Sequence, residues 1–175
     1  MDQDTRTEKI FAECSWVYRT QKMVNERETP YEKGNGRRIR AGVCMYNPRE
    51  DKLLIVQVYN EFIGLPKGGQ EKGESLSQTA LRELEEETGI KLEKVDETKK
   101  ITFYKTCTYY IMDTDECLPV CLRDLEHNDV SGVGWIHRRC IPNLPGKITS
   151  HLIEILKRIE ARVIDDNISR KKEIV

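Results

Sequence analysis

The chain has 175 residues, enough for one domain with a well-formed core and too few for two domains of ordinary size. Its 29 basic and 30 acidic residues give a formal net charge of −1, which argues against bulk electrostatic binding of nucleic acid. No uninterrupted apolar run approaches the ~20 residues that cross a bilayer, and no hydrophobic signal core opens the chain. We therefore expect no membrane partner and an intracellular, cytoplasmic location.

The cysteines fit such a location as free thiols, because disulfides are rare inside cells. Cys44 and Cys107 fall in strand-like runs, where a thiol serves as a small core residue. A zinc site can be assembled on paper, although its spacing matches no finger pattern. Its members would be Cys117, Cys121, His127, His137 and Cys140.

Residues 1–36 form an N-terminal extension. Apolar residues recur at helical spacing between Ile10 and Val24, which predicts an amphipathic helix ended near Pro30. A strand over residues 14–19 is the competing interpretation, because the run Trp16, Val17, Tyr18 favours extended structure.

Two strands are predicted next, over residues 37–46 and 52–59. The first strand carries apolar residues on one face, namely Ile39, Ala41, Val43 and Met45. A glycine-containing loop follows at residues 65–69. Ser75 with Gln78 then forms a capping box that starts a helix, and Gly89 ends that helix in the left-handed conformation.

The second half of the chain predicts more strands and a closing helix. Residues 101–112 indicate one strand, residues 118–122 a segment pairing beside it, and residues 133–136 a last short strand. Apolar residues from Ile148 to Val163 mark an amphipathic helix, followed by a flexible tail over residues 165–175. Strands on both sides of one helix, closed by another helix, indicate an α/β sandwich.

Three acids on the predicted central helix stand together. Glu83, Glu86 and Glu87 lie at positions i, i+3 and i+4, so their carboxylates share one edge, whereas Glu85 points away as a solvated residue. Clustered carboxylates of this kind suit a hard divalent cation such as Mg²⁺ or Mn²⁺. A solvated acidic face is the alternative interpretation.

Residues 68–90 match the pattern G-x5-E-x7-R-E-U-x-E-E-x-G-U, where U is aliphatic. The stretch therefore resembles the signature box of the Nudix hydrolases. The matching residues are Gly68, Glu74, Arg82, Glu83, Leu84, Glu86, Glu87, Gly89 and Ile90. The resemblance implies a domain over residues 37–164, a mixed β-sheet sandwiched between α-helices, and hydrolysis of a diphosphate linkage (X-O-P-O-P) with Mg²⁺ or Mn²⁺.

The resemblance also implies roles for the box residues. Glu86 and Glu87 match the metal-binding pair, and Glu83 matches a glutamate that either binds metal or acts as the base. The carbonyl of Lys67 matches a backbone metal ligand. Three further roles are structural: Arg82 holds the carboxylates, Glu74 braces the loop, and the glycines Gly68 and Gly89 shape the backbone.

Many family members supply a further acid shortly before a strand that carries a tryptophan. Asp129 and Glu126 both precede Trp135, and the resemblance favours Asp129 as an additional metal ligand. The alternative interpretation is that both acids are ordinary residues of a solvated loop and bind no metal.

Substrate choice lies outside the box. Arg38 and Arg40, with Arg37, form a basic cluster that suits a polyphosphate, and the side chain of Lys67 suits a phosphate as well. Candidate stacking surfaces for a base are Tyr59, Phe62, Tyr104, Tyr109 and Tyr110.

Resemblance to messenger RNA decapping members ranks capped RNA first among phosphoanhydride substrates. Dinucleoside polyphosphates and inositol pyrophosphates come next, and nucleoside diphosphate sugars follow. A Nudix-fold binding or regulatory protein without catalysis is the alternative of another class, although every box carboxylate is present here. The oligomeric state is left open by the sequence.

Overall fold

A computed structural model describes residues 16–18, 38–123 and 129–173 of the chain. Within these ranges the fold comprises nine β-strands, two α-helices and a 3₁₀ helix over Arg138–Asn143. The strands are β1 Trp16–Tyr18, β2 Arg40–Asn47, β3 Lys52–Val58, β4 Phe62–Gly64, β5 Lys67–Gly69, β6 Lys100–Phe103, β7 Cys107–Asp113, β8 Val130–His137 and β9 Lys147–Ile148. The helices are α1 Leu76–Thr88 and α2 Ser150–Glu173.

The strands form one mixed sheet in the order β1-β8-β3-β2-β7-β6, with β4, β5 and β9 attached beside it. β2 and β7 run parallel, whereas β2 pairs antiparallel with β3 and with β5. Helix α1 covers one face of the sheet through Ala80 and Leu84, and α2 covers the other through Leu152 and Ile155. The predicted α/β sandwich is confirmed.

Central strand β2 is buried on both faces from Ala41 to Asn47, as its apolar sequence requires. Ala41, Val43 and Met45 pack on the side of α1, so the predicted common face is confirmed for these residues. Ile39 precedes the strand and is exposed.

The single strand predicted over residues 101–112 is wrong. The segment is a β-hairpin in which β6 and β7 pair antiparallel, with Phe103 opposite Cys107. Tyr104 and Lys105 make the turn with φ angles of 51° and 61°. Hairpin turns need positive φ at these positions, and the usual asparagine and glycine that signal such a turn are missing from the sequence.

The strand predicted over residues 118–122 is also wrong, since this segment has no regular structure. Its backbone groups bind other elements instead of a neighbouring strand. The indole Nε1 of Trp135 donates to the carbonyl of Leu118 at 2.8 Å, and the amide of Cys121 donates to the carbonyl of Thr88 at 3.0 Å. The segment thus packs beside α1 and the last long strand.

The N-terminal extension contributes an edge strand. β1 pairs antiparallel with β8, which confirms the strand interpretation for Trp16, Val17 and Tyr18 and contradicts the helix there. The Trp16 ring lies over Gly132, where a Cβ would come within 2.5 Å of it. The remainder of the predicted helix lies outside the described residues.

Four further predictions can be compared with the structure. Helix α2 continues to Glu173, beyond residue 164, where the sequence placed the start of a tail. The five cysteines in the described ranges are free, and Cys14 lies outside those ranges. Among the described residues no cysteines and histidines are grouped to hold zinc, and His127 lies outside them. No helix in the described part of the chain is long and apolar enough to span a membrane.

Candidate active site

Helix α1 is fixed at both ends by local interactions. The Ser75 hydroxyl accepts from the amide of Gln78 at 3.2 Å, and the Gln78 side chain accepts from the amide of Ser75 at 2.8 Å. At the other end Gly89 adopts φ 76° and donates to the carbonyl of Glu85 at 2.9 Å. With buried Ala80 and Leu84 facing the sheet, these ends set the rotation of the helix and hence the positions of its acids.

The acids of α1 meet a glycine-rich strand. A Cβ on Gly68 would lie 2.1 Å from the Glu83 carboxyl carbon, so the glycine makes room for that carboxylate. Gly68 pairs with Ala41 of β2, which places this contact on the α1 side of the sheet. Gly42 admits the loop itself, because a Cβ there would lie 2.1 Å from the Pro66 carbonyl oxygen. Close approach of a side chain thus explains Gly68, and close approach of backbone explains Gly42.

Arg82 is the centre of the hydrogen-bond network. Its Nη1 donates to Glu83 at 2.8 Å and to Glu86 at 3.0 Å. Its Nε and Nη2 donate to the two oxygens of Glu74 at 2.7 and 3.1 Å, and Nη2 also donates to the Gly69 carbonyl at 2.9 Å. One guanidinium therefore joins the loop to the acidic edge of α1, as the resemblance implied.

Glu74 behaves as a brace. Besides Arg82, it accepts from the Thr79 hydroxyl at 2.9 Å and from the Glu71 amide at 3.0 Å. Hydrogen bonds from Arg82, followed by the other donors, lower the pKa of Glu74 from 4.5 to about 2. The carboxylate is thus ionised and fully engaged within the protein.

Glu87 has a different environment. Its Oε2 accepts from the backbone amide of Lys67 at 2.9 Å. Burial raises the pKa of the Glu87 carboxyl to about 8, against the opposing influence of the Lys67 charge. Burial also raises the pKa of Glu83. Burial thus disfavours the ionised form of both carboxyl groups, although Glu83 is paired with Arg82.

Such carboxylates fit a hard divalent cation by donor type, because an added positive charge offsets the cost of their burial. Within the described ranges, however, no three His, Cys, Asp or Glu side chains are grouped closely enough to hold a metal ion. Glu83 and Glu86 are turned toward Arg82. Cation binding therefore requires these two side chains to rotate away from the guanidinium, and Glu86, 39% exposed, has room to do so.

Glu85 lies outside this group. Instead of being fully solvated, it accepts from Arg123 Nη1 at 3.0 Å across an exposed ion pair. A surface pair of this kind contributes little to stability. Glu85 is therefore a suitable control position on the same helix.

Asp129 directly precedes β8 and is exposed. It accepts a hydrogen bond from the Tyr59 hydroxyl, and the Tyr59 amide donates to its carbonyl at 3.1 Å. Since Val130 pairs with Val58 and β3 runs antiparallel to β2, Asp129 lies at the same end of the sheet as Arg40. Its role as a ligand stays a prediction, and Glu126 lies outside the described residues.

The predicted cations lie on the opposite face of the sheet from α1. A Cβ on Gly69 would lie 2.1 Å from Nε of Arg38, and a Cβ on Gly42 would lie 2.6 Å from the Cβ of Lys67. These distances place Arg38 and Lys67 on the face to which Gly69 and Gly42 point. Arg40 is the strand partner of Gly69 and shares its face. The Lys67 side chain and the Glu83 carboxylate therefore lie on opposite faces of the short strand β5. The end of this strand has positive side chains on one face and carboxylates on the other.

His151, at the start of α2, is a neighbour of these cations that the sequence analysis missed. Burial, followed by the charges of Lys67 and Arg40, lowers its pKa. Its ring is stacked on Phe103, with centroids 4.4 Å apart and planes inclined by 13°. No local pattern signals this position, because the contact joins residues from distant parts of the chain.

Comparisons with known proteins identify the family and the fold of the chain. The family model described as NUDIX domain matches residues 36–137. A protein of Invertebrate iridescent virus 3, provisionally named hydrolase 111R, is 33% identical over 90 residues, which cover 51% of this chain and 53% of that protein. An RNA pyrophosphohydrolase of Wolbachia pipientis subsp. Culex pipiens is 35% identical over 86 residues, covering 43% of this chain and 49% of its own.

The chain thus spans about half the length of the curated relatives it matches. Among solved structures, the NUDIX domain of Shewanella oneidensis NrtR, complexed with ADP ribose, superimposes with a TM-score of 0.57 at 17% identity. That match covers 78% of this chain and 94% of the other, and it shows a shared fold. Because the family model covers more than half of the chain, the protein belongs to the NUDIX family of hydrolases.

Proposed function

We propose that this chain is a divalent-metal-dependent hydrolase that cleaves a diphosphate linkage, X-O-P-O-P, in a nucleotide-derived substrate. The observation that carries the proposal is the acidic edge of α1, where Glu83, Glu86 and Glu87 lie against the Gly68 loop around Arg82. Burying a carboxylate without a matching positive charge costs free energy. A purely structural ion pair with Arg82 would need one carboxylate, whereas this edge carries three.

The position of each residue in the site suggests its role in the reaction. Glu86, Glu87 and the Lys67 carbonyl would hold the cation, which can be Mg²⁺ or Mn²⁺, and Glu83 would either join them or accept the proton of the attacking water. Such a cation would neutralise phosphate oxygens and lower the pKa of a coordinated water. Arg82 also binds Glu74 and the Gly69 carbonyl, so it would keep the loop and the helix together when Glu83 and Glu86 turn to the cation.

Positive side chains on the other face of β5 receive the substrate. Arg38, Arg40 and Lys67 border the end of the strand whose opposite face meets Glu83. A phosphate chain lying across this end contacts guanidinium and ammonium groups on one side and the carboxylate site on the other. Asp129, at the same end of the sheet, is the candidate for an additional cation ligand.

An RNA 5′ end, capped or bearing a diphosphate, ranks first among substrates. The name of the Wolbachia relative supports this ranking. Dinucleoside polyphosphates and inositol pyrophosphates remain alternative substrates of the same site. A binding or regulatory protein without catalysis is the alternative of another class, and the two are separated by whether any compound is turned over.

The experiment is a hydrolysis panel of capped RNA, 5′-diphosphate RNA, dinucleoside polyphosphates, ADP-ribose and an inositol pyrophosphate, each with Mg²⁺, with Mn²⁺ and with chelator. We expect turnover with metal only, and Glu87→Gln reduces kcat at least about 100-fold. The variant should fold normally, because glutamine fills the same volume and needs no compensating charge. Glu85→Gln, on the same helix but outside the group, is the matched control.

Full activity of Glu87→Gln, or turnover in chelator, would remove the metal assignment. Binding of panel compounds by the unmodified protein without turnover of any of them would favour the non-catalytic alternative.

A further inference from the structure

One row of paired residues crosses the sheet from the glycine loop to its far edge. Gly69 pairs with Arg40, Arg40 pairs with Cys107, and Cys107 pairs with Phe103. Paired residues point to the same face of a sheet, so this row lies on the face away from α1. Three strand spacings separate its ends, about 14 Å.

An aromatic cluster stands at the far end of the row. His151 is stacked on Phe103, and the ring of Tyr104 lies beside His151, with centroids 5.8 Å apart and planes inclined by 32°. Tyr104 is 71% exposed, the largest exposed fraction among the exposed large hydrophobic side chains of the described residues. Exposing such a ring forgoes the stabilisation that burial would give it.

The backbone holds this ring in place. Tyr104 and Lys105 both adopt positive φ, and the Thr106 amide donates to the Phe103 carbonyl at 3.0 Å across the turn. Positive φ is unfavourable for an aromatic residue, which a turn selected for stability alone would replace by asparagine or glycine. His151 supports the ring from the side of α2, so the cluster joins two elements.

Cations lie between this cluster and the carboxylates. Arg40 is in the row itself, and Lys67 is on the same face, paired with Gly42. Burial, followed by the charges of Lys67 and Arg40, lowers the pKa of His151, which favours the neutral imidazole. The row thus has an aromatic surface at one end and cations along its length. The carboxylates lie at its other end, on the opposite face of β5.

We infer that Tyr104, supported by His151 and Phe103, is a stacking platform for the aromatic base of the substrate whose diphosphate lies at the acidic edge of α1. The inference rests on the proposed function and narrows it, since an inositol pyrophosphate carries no aromatic ring. The row measures about 14 Å from the platform to β5, and the carboxylates lie on the other face of that short strand, so a base, a sugar and a short phosphate chain in extended form reach the end of β5. Base stacking on an aromatic side chain is sequence-tolerant, which suits RNA 5′ ends of different sequence.

The test compares two ligands that share a diphosphate and differ in the base. The non-hydrolysable methylene analogues of ADP and of inorganic pyrophosphate are titrated calorimetrically, with Mg²⁺, into the full chain with Glu87 intact. The platform is removed by Tyr104→Asn, because asparagine tolerates positive φ and preserves the turn. His151→Ala is the second platform variant. Phe62, which the sequence also offered as a stacking surface, lies on β4, on the opposite side of β2 from the row, with Lys147 over its ring. Phe62→Ala therefore removes an exposed ring outside the platform and is the matched control.

We expect Tyr104→Asn to weaken binding of the ADP analogue about 5- to 30-fold, and binding of the pyrophosphate analogue by less than about twofold. His151→Ala shifts affinity for the ADP analogue in the same direction, and Phe62→Ala leaves both ligands within twofold. Unchanged affinity for the ADP analogue in Tyr104→Asn, an equal loss for both ligands, or no measurable binding of the ADP analogue to the parent protein overturns the platform. If Tyr104→Asn leaves affinity for the ADP analogue unchanged but nucleotides are hydrolysed, the platform is wrong and the proposed function stands. If Tyr104→Asn weakens binding of the ADP analogue but no compound is hydrolysed, the proposed function is wrong and the platform stands.

Discussion

Glu74→Gln is predicted to weaken the fold rather than the chemistry, and to do so in a pH-dependent way. In the folded protein the carboxylate receives two hydrogen bonds from Arg82, one from Thr79 and one from the Glu71 amide. Glutamine keeps the size of the side chain but loses the charge and one acceptor oxygen. Arg82 retains Glu83 and Glu86 as partners, so the guanidinium is not left unpaired.

The magnitude follows from the pKa shift. A fall from 4.5 to about 2 corresponds to roughly 3 kcal/mol of stability at neutral pH. The side chains of Glu74 and Arg82 are 19% and 23% exposed, so solvent screens part of this, and we expect a loss of about 1–3 kcal/mol. Because the folded pKa is lowered, the stabilisation is complete above pH 4.5 and disappears as pH falls toward 2.

The assay is urea unfolding of the unmodified protein and of Glu74→Gln at pH 7, 5 and 3. The difference in unfolding free energy should be similar at pH 7 and 5 and should fall by more than half at pH 3. Glu71→Gln, an exposed acid in the same loop, is the charge-matched control and should change stability by less than about 0.5 kcal/mol. A Glu74→Gln penalty that is equal at pH 7 and pH 3 would refute the reasoning, because that penalty would not come from the ionised carboxylate.

Four further predictions concern the two glycines at the loop, the sheet end and the hairpin. Gly68→Ala should unfold at nearly unchanged urea concentration yet lose at least about tenfold in kcat, because only the flexible Glu83 carboxylate must move. Gly42→Ala instead meets backbone and should lose about 2 kcal/mol or more by the same unfolding assay. Asp129→Asn should raise the Mn²⁺ concentration for half-maximal activity about tenfold, and a change below twofold would exclude this ligand. Lys105→Gly should add about 0.5–1 kcal/mol to the unfolding free energy by relieving a φ of 61°, and a loss of stability would contradict that account.

The elements with strong local signals were predictable from sequence. The ends of α1 follow from Ser75, Gln78 and Gly89, because caps satisfy backbone groups locally and need no tertiary context. Apolar runs located β2 and β3 to within a few residues. The box pattern likewise singled out Arg82 and the three glutamates that the structure gathers at the Gly68 loop.

Features that depend on distant contacts were not predictable. The turn at Tyr104 and Lys105 has no asparagine or glycine, so its positive φ angles left no trace in the sequence. Residues 118–122 resemble a strand in composition, yet Trp135 and Thr88 take their backbone groups. The stacking of His151 on Phe103 joins a strand in the middle of the domain to the helix that closes it.

Strand β5 is only three residues long, and it assigns neighbouring residues to opposite faces. Lys67 and Gly69 face α2, whereas Gly68 faces Glu83. Because side chains alternate along a strand, deleting or inserting one residue near Pro66 would exchange these assignments. Lys67 would then project toward the carboxylates. The space that Gly68 leaves for the Glu83 carboxylate would lie on the α2 face instead of the α1 face. The length of the connection from β4 is therefore constrained in its parity, in addition to the constraint that its buried Leu65 imposes through the core.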